Sequence, residues 1–281
     1  MDLIFFKIAV VLYIVSSVNF LVFLLGSSAM NCPVGNWTAR LGFACHTLSI
    51  LHRSFFSGFF PLATPFDVLS VFAWLIIGIY LLAMLRDASP IFGAMVAPMA
   101  VVLMIVGATL SYQIKEPIVP ILHSWWLPIH VSFALAGNSV FAIMAIVGLM
   151  YIFQERLIKK KKLGRTHKLL PSLEILDLVN RRGLPIGFFL MTVGIVSGAL
   201  WAGSAWGFYW SWDPKETWSL ITWFAYAAMV HQRMVLGWRG KKAAIMAIIG
   251  FGLVLFTFIG VSVLFSGHHS FRNPVLGTTA S

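Results

Sequence analysis

Four tryptophans, Trp206, Trp210, Trp212 and Trp218, fall within thirteen residues of this chain, in the run WAGSAWGFYWSWDPKETWSLITW at residues 201–223. Phe208 and Tyr209 lie among them, and Gly203 and Gly207 lie between. Rings at this density suit a flat apolar platform for a large planar ligand, held by stacking and burial. The competing reading is an interfacial belt, with the indoles at the depth of the lipid headgroups. A belt accounts for one or two Trp at each end of a membrane span and leaves this density unexplained. Asp213-Pro214-Lys215-Glu216 reads as a helix start, with Asp213 as N-cap, Pro214 in the first turn and Glu216 three residues after the cap. Asp213 is therefore a cap or an acid facing the ligand. Lys215 is a solvated cation or a partner for a ligand carboxylate.

Histidines supply the second kind of chemistry. His130 opens one apolar run and His269 closes the last one. Two neutral imidazoles on opposite faces of a porphyrin make a bis-histidine haem site. Taken singly, each is equally well an interfacial histidine that only forms hydrogen bonds. His268 competes with His269, because neighbours near a helix end point about 100° apart. His123 competes with His130, but lies earlier in its loop with no helix to fix it. His231 is different. It follows Trp218 by thirteen residues on one helix, which places it about 20 Å deeper. It cannot reach the same iron, so it is a ligand of a second, inner site or an inner-interface histidine beside Arg233. His46 and His52 are weaker candidates, and His167, in a basic loop, is expected to be solvated.

These residues need elements to hold them, and composition says which. The 281 residues are 59% hydrophobic and 10% charged, against roughly half and a quarter in soluble domains. Apolar runs of about 20 residues, enough to cross about 30 Å of hydrocarbon, recur throughout. The expected fold is all-α, a polytopic transmembrane helix bundle of about eight spans, with a Trp-rich outer loop and short outer helices. The spans are read at about 4–26, 41–56, 67–85, 91–110, 128–153, 184–204, 217–237 and 243–266. The first is read as a retained helix, since its run exceeds a signal-peptide core of roughly 7–15 residues. The second, interrupted by His46, His52 and Arg53, is a span or a re-entrant segment. The whole of 1–281 is read as a single transmembrane haem-handling domain.

The formal charge of +11 does not point to nucleic acid, because the basic residues cluster in short segments between apolar runs. Residues 154–183 hold Arg156, Lys159, Lys160, Lys161, Lys162, Arg165, Lys168, Arg181 and Arg182. That loop belongs on the cytoplasmic or stromal side, and Arg239, Lys241 and Lys242 fall with it. Segments 57–66, 111–127, 205–216 and 267–281 are then outer, and they hold Trp206, Trp210, Trp212, Asp213, His268 and His269, with His130 and Trp218 at the adjoining ends of spans. Cys32 and Cys45 form no C-x-x-C pair, so the chain has no thioether attachment motif of its own.

The run WGFYWSWDPKETWSLITW closely resembles the tryptophan-rich WWD signature of haem-handling membrane proteins. Its DPKETWSLITW form resembles that of the CcsA (or ResC) family, the integral-membrane half of the system II cytochrome c synthase. WLPIHVSFAL, YAAMVHQR, SGHHSF and RSFFSGFFPLATPFDVLSVFAW are similar to the family too, so the likeness covers most of the chain from about residue 40. The resemblance implies a protein of a bacterial inner membrane, or of the thylakoid if plastid-encoded. It would present haem b at the outer face for thioether attachment to the CXXCH motif of apocytochrome c. Its implied partners are CcsB, apocytochrome c and the thiol-reducing proteins of the same pathway. His130 and His269 match the two outer haem ligands, and His231 matches the transmembrane ligand, whose counterpart comes from CcsB. The chain departs at Phe66-Asp67, where the family has Tyr-Glu, and at His268, where it has an apolar residue.

Thioether formation adds a thiol across a haem vinyl group, and the protein's share is mainly positioning. Trp206, Trp210, Trp212, Asp213 and Trp218 are expected to hold the porphyrin while His130 and His269 clamp the iron. No residue reads as a nucleophile or general base. Two other functions compete: a haem transporter or chaperone of the WWD superfamily without synthase activity, and a membrane electron carrier with bis-histidine haem.

Overall fold

The structure, a computed structural model, describes residues 1–26, 30–57, 60–62, 64–84, 89–110 and 124–265. Among these residues all regular structure is helical: α1 Asp2–Leu24, α2 Asn31–Ser57, α3 Pro65–Met84, α4 Pro90–Ala108, α5 Trp126–Lys159, α6 Arg165–Leu169, α7 Leu173–Trp206, α8 Pro214–Met234 and α9 Lys241–Leu255. A π-helical turn, Phe256–Gly260, and α10 Val261–Leu264 continue α9. The eight long helices match the eight expected spans in order. Six of them, α1, α3, α4, α5, α7 and α9 with its π-turn, are long and apolar enough to cross a bilayer. The chain is an integral membrane protein. No short helix lies in the described parts of the expected outer segments. The remainder of those segments, including His123, His268 and His269, is outside the described residues.

Helix α2 corrects the reading of the second span. It is continuous and starts at Asn31, ten residues before the expected 41. The polar residues that read as loop have partners: Asn36 Oδ1 accepts from Tyr80 Oη at 2.9 Å, and Thr38 Oγ1 donates to Val34 O at 2.9 Å. Apolar periodicity alone does not register such helical turns. Helices α5 and α7 also run past their apolar cores, each to 34 residues, or about 51 Å.

The fold divides into two compact units, and the chain passes from one to the other within α5 and α7. One comprises residues 1–114 and 146–178; the other comprises 115–145 and 179–281. The core of the first is built from fully buried Tyr13, Phe20, Phe72, Ile76, Ile77, Tyr80 and Met104. Several of its buried polar groups pair with one another, as an apolar surrounding favours. His46 is fully buried, with Nε2 2.9 Å from Ser70 Oγ and Nδ1 3.5 Å from Tyr13 Oη. Arg53 Nε donates to Asp67 Oδ1 at 2.5 Å, and Arg53 Nη1 lies 3.7 Å from Asp2. Thr64 and Asp67 close the start of α3 reciprocally: Asp67 Oδ2 accepts from Thr64 N, and Asp67 N–H donates to Thr64 Oγ1. The Arg53 guanidinium stands over the Phe66 ring at 5.5 Å, so the Phe66-Asp67 pair anchors the start of α3.

The basic loop is folded, which corrects the expectation for His167. That residue is half-buried, with Nδ1 3.2 Å from Gln154 Oε1, while Gln154 Nε2 donates to His167 O. Arg165 donates to Phe23 O at the end of α1, and Ser89 Oγ donates to Leu169 O. The loop is thereby strapped across the ends of α1 and α4. A polar side chain in a basic loop is a poor guide to solvation when helix-end carbonyls are within reach.

The second unit holds Phe141, Met144, Leu184, Met191, Tyr226, Met229, Ala247 and Val254 as its core, with Phe141 stacked on Tyr226 at 3.7 Å. Here α5 and α7 approach backbone to backbone. A Cβ on Gly137 would lie 3.0 Å from Met191 N, and one on Gly194 would lie 3.0 Å from Ala134 N. Small residues at such crossings are the usual means of close packing between membrane helices.

The buried Arg53–Asp67 pair gives a direct test of the first unit. Asp67→Ala removes the carboxylate's bond to Thr64 N and one charge of the pair, and should destabilise the fold by about 3 kcal/mol. The measurement is the thermal midpoint in detergent, which should fall well below that of the wild type.

Candidate functional site

His130 sits on the second turn of α5 and is half-buried. Its Nδ1 lies 2.6 Å from the carbonyl oxygen of Gly194 on α7. A carbonyl only accepts, so Nδ1 carries the proton and the neutral ring has its lone pair on Nε2. That is the tautomer an iron ligand needs. The imidazole lies nearly parallel to Trp201, with 14° between planes and 6.4 Å between centroids. Trp201 meets Trp206 edge-on at 5.1 Å, and Trp206 stacks on Phe208 at 6.4 Å and 20°. A continuous series of rings thus runs from the histidine into the Trp-rich segment.

That segment is shaped by a helix stop and a helix start. Gly207 takes φ +81°, a left-handed conformation that ends α7 at Trp206, and its N–H donates to Gly203 O at 3.2 Å. Gly203 also lacks the side chain that would collide with the ring of Tyr209, which folds back over it. Residues 207–213 are irregular. Asp213 then caps α8: its Oδ1 accepts from Lys215 N at 2.8 Å, and Glu216 completes a capping box. Glu216 Oε2 gathers the loop, accepting from Ser211 N at 2.8 Å, Ser211 Oγ at 3.0 Å and Asp213 N at 3.3 Å. The cap reading of Asp213 describes its geometry. Burial pushes the Lys215 ammonium down to about 8, with Asp213 acting in the opposite direction. The ammonium stands 5.7 Å from the Phe258 ring centre.

The indoles do not form one plane. Trp210 and Trp212 meet edge-to-face at 6.0 Å and 84°. Trp212 adopts φ +59°, rare for a residue with a side chain, and is 69% exposed. Trp218 packs on the π-turn, edge-on to Phe256 at 4.6 Å. The indole N–H of Trp210 is buried and has no hydrogen-bond partner. Leaving a buried donor unmet costs about 1–3 kcal/mol, so it suits a ligand that brings an acceptor.

His231 is exposed on α8, on a stripe with Ile221, Phe224 and Ala228 at alternating three- and four-residue steps. The structure thus sets it on the outer face of this helix, clear of the core built by Tyr226 and Met229 on the opposite face. His52 stacks on Phe56 at 4.2 Å, and its Nδ1 is buried without a partner. His269 lies outside the described residues. No group of three or more metal-ligating His, Cys, Asp or Glu occurs among those described.

Residue typing from the sequence did not single out Gly194, Gly198 or Trp201, which surround the His130 ring. Their spacing puts them on one face of α7, which is visible in the sequence. Their partner, 64 positions earlier in the case of Gly194, is not.

The capping geometry makes a prediction for Asp213. Asp213→Asn retains a capping acceptor and should leave stability and haem handling close to wild type. Asp213→Ala should cost about 1 kcal/mol of stability, read from the thermal midpoint. A large functional loss in the Asn variant would instead mark the carboxylate as part of the chemistry.

Comparison with known proteins agrees with this architecture. The family model described as "Cytochrome C assembly protein" matches residues 34–269. A cytochrome c biogenesis protein CcsA from Chlamydomonas reinhardtii is 38% identical over 222 residues, spanning 76% of this chain and 62% of its own length. CcsA of Synechococcus elongatus is 34% identical over 259 residues, spanning 76% of this chain and 80% of its own. CcsA of Pyropia yezoensis is 32% identical over 263 residues, spanning 80% and 82%. Among solved structures, a chain titled cytochrome c heme lyase CcmF shares the fold, with a TM-score of 0.66 and 17% identity over 92% of this chain and 46% of that one. The chain therefore spans less than two thirds of the Chlamydomonas protein and less than half of the lyase. On the family match and on its identity to cyanobacterial and algal relatives, the chain belongs to the CcsA family of cytochrome c assembly proteins.

Proposed function

We propose that this chain acts in cytochrome c biogenesis as a single haem-handling domain, presenting haem b for covalent attachment to the CXXCH motif of apocytochrome c. The observation that carries the reading is the His130 ring. Its Nδ1 proton is committed to the Gly194 carbonyl, which leaves the lone pair on Nε2, and it lies at the head of a series of aromatic rings. Iron-binding histidines are usually held in this way, with the second ring nitrogen donating to a carbonyl or carboxylate. The unmet indole N–H of Trp210 fits a substrate that carries two carboxylates, and exposed Phe208, Tyr209 and Trp212 fit its apolar faces.

Haem is the substrate in this reading, and His130 with His269 would bind its iron from opposite faces. The apocytochrome supplies two thiols. Each S–H adds across a vinyl group, sulfur to one carbon and hydrogen to the other, with no net oxidation. The residues of the chain bind and orient, and the incoming histidine of the CXXCH motif displaces one of the two ligands. Proximity of this kind is worth several kcal/mol of activation energy in general.

His231 supports a second, inner site. An ionisable side chain on the lipid-facing stripe of a membrane helix calls for a partner, and CcsB would bring both the covering helix and the other iron ligand. The further partners are apocytochrome c and the thiol-reducing proteins of the same pathway. The membrane would be a bacterial inner membrane or a thylakoid, with the tryptophan-rich end on the periplasmic or lumenal face and the strapped basic loop opposite.

Coexpression with CcsB and an apocytochrome tests this reading. Wild type should yield cytochrome whose haem survives acid-acetone extraction, and His130→Ala and His269→Ala should each yield almost none. Haem that accumulates on the chain but never becomes covalent would favour a transporter or chaperone. Full activity in both variants would remove the ligand assignment.

A further inference from the structure

Three residues on one face of α7 surround a single imidazole, and each acts on a different feature of it. We propose that Gly194, Gly198 and Trp201 form a seat that fixes the tautomer and the rotation of His130, and so sets which ring nitrogen meets the iron. The proposal rests on the reading of His130 as a haem ligand.

Gly194 acts through its backbone. Its carbonyl accepts from His130 Nδ1 at 2.6 Å, while the single proton of Ser197 Oγ has a nearer acceptor in Val193 O at 2.6 Å than in Gly194 O at 3.0 Å. A helix carbonyl ordinarily serves its own helix, and a side chain from another helix reaches it only where nothing overhangs. Gly198, four residues on, provides that opening. A Cβ there would lie 2.6 Å from both His130 Nδ1 and Cε1 and 3.3 Å from its Cγ. All three nearest atoms belong to the imidazole, so the missing side chain is a slot for that ring alone. Gly194 and Gly137 differ in this respect, since the nearest atoms there are backbone of the facing helix, as in ordinary close packing. Trp201, three residues beyond Gly198, lies within 14° of parallel to the imidazole and is itself buried. A flat neighbour of this kind resists ring rotation, because turning the imidazole would break offset stacking.

The combined effect is electronic as well as steric. A histidine that donates Nδ1–H to a good acceptor binds metal more strongly through Nε2, and losing such support typically weakens binding about 10- to 100-fold. Gly198→Ala is the smallest change that separates the ring from the carbonyl while leaving both ligand and acceptor in place.

The test uses the haem-loaded protein in complex with CcsB and follows two readouts besides activity: the rate of haem loss to excess apomyoglobin and the midpoint potential. Gly198→Ala should lose haem roughly 10- to 100-fold faster than wild type, at a thermal midpoint close to that of wild type. Gly198→Ala should also move the potential to more positive values, because an imidazole parted from the carbonyl donates less to the iron. Gly252→Ala, where a Cβ meets nothing within 4 Å, should match wild type in both. If Gly198→Ala does not accumulate folded, Trp201→Phe and Trp201→Leu replace it, with haem retained by Phe and lost faster by Leu. Fast loss in His130→Ala with wild-type loss in Gly198→Ala, or with equal loss in the two Trp201 variants, would overturn the seat and leave the ligand standing. An unchanged spectrum and loss rate in His130→Ala would overturn the ligand reading itself.

Discussion

The hydrogen bond from His130 to the Gly194 carbonyl ties the local chemistry of this protein to its helix packing. In a low-dielectric surrounding a ring nitrogen must find a partner, and the choice of partner fixes the proton. Here the partner is a backbone atom of another helix, so the tautomer follows from the α5–α7 crossing. That crossing depends in turn on Gly137 and Gly194, which let two backbones approach to about the distance of direct contact. The chemistry at the aromatic end is therefore set by glycines that carry no chemistry of their own.

Much of this organisation is legible in the sequence, and the parts that are not share one cause. The eight apolar runs each became a long helix, because a membrane leaves the backbone few other ways to satisfy its polar groups. Asp213-Pro214-Lys215-Glu216 reads as a capped helix start and is one, since capping depends on neighbours within four residues. Asn31–Arg40 reads as loop but is helix, because Asn36 finds Tyr80, 44 residues away. His167 reads as solvated but is bonded to Gln154. Trp201 passes for one more indole in a crowded run, yet it stacks on His130. Contacts across helices depend on register and rotation, and local patterns carry neither.

The two ends of α8 illustrate how one helix can serve two depths. Its first turn is closed by a capping box and carries the loop of exposed aromatics that precedes it. Its last turns expose His231 on a stripe with Ile221, Phe224 and Ala228. The first end is closed by contacts of its own capping box, whereas the second presents an exposed imidazole. This asymmetry is consistent with a protein that works against a membrane partner, and with relatives named for cytochrome c biogenesis in cyanobacteria and algae.

The central claim is that His130 binds haem iron through Nε2 while its other nitrogen stays on Gly194. The most direct measurement is an experimental structure of the chain purified with haem and CcsB. The account predicts iron bonded to His130 Nε2, the porphyrin against the Trp206–Phe208 pair, and the Gly194 hydrogen bond retained. Iron bonded elsewhere, with the His130 ring turned away from it, would contradict the account.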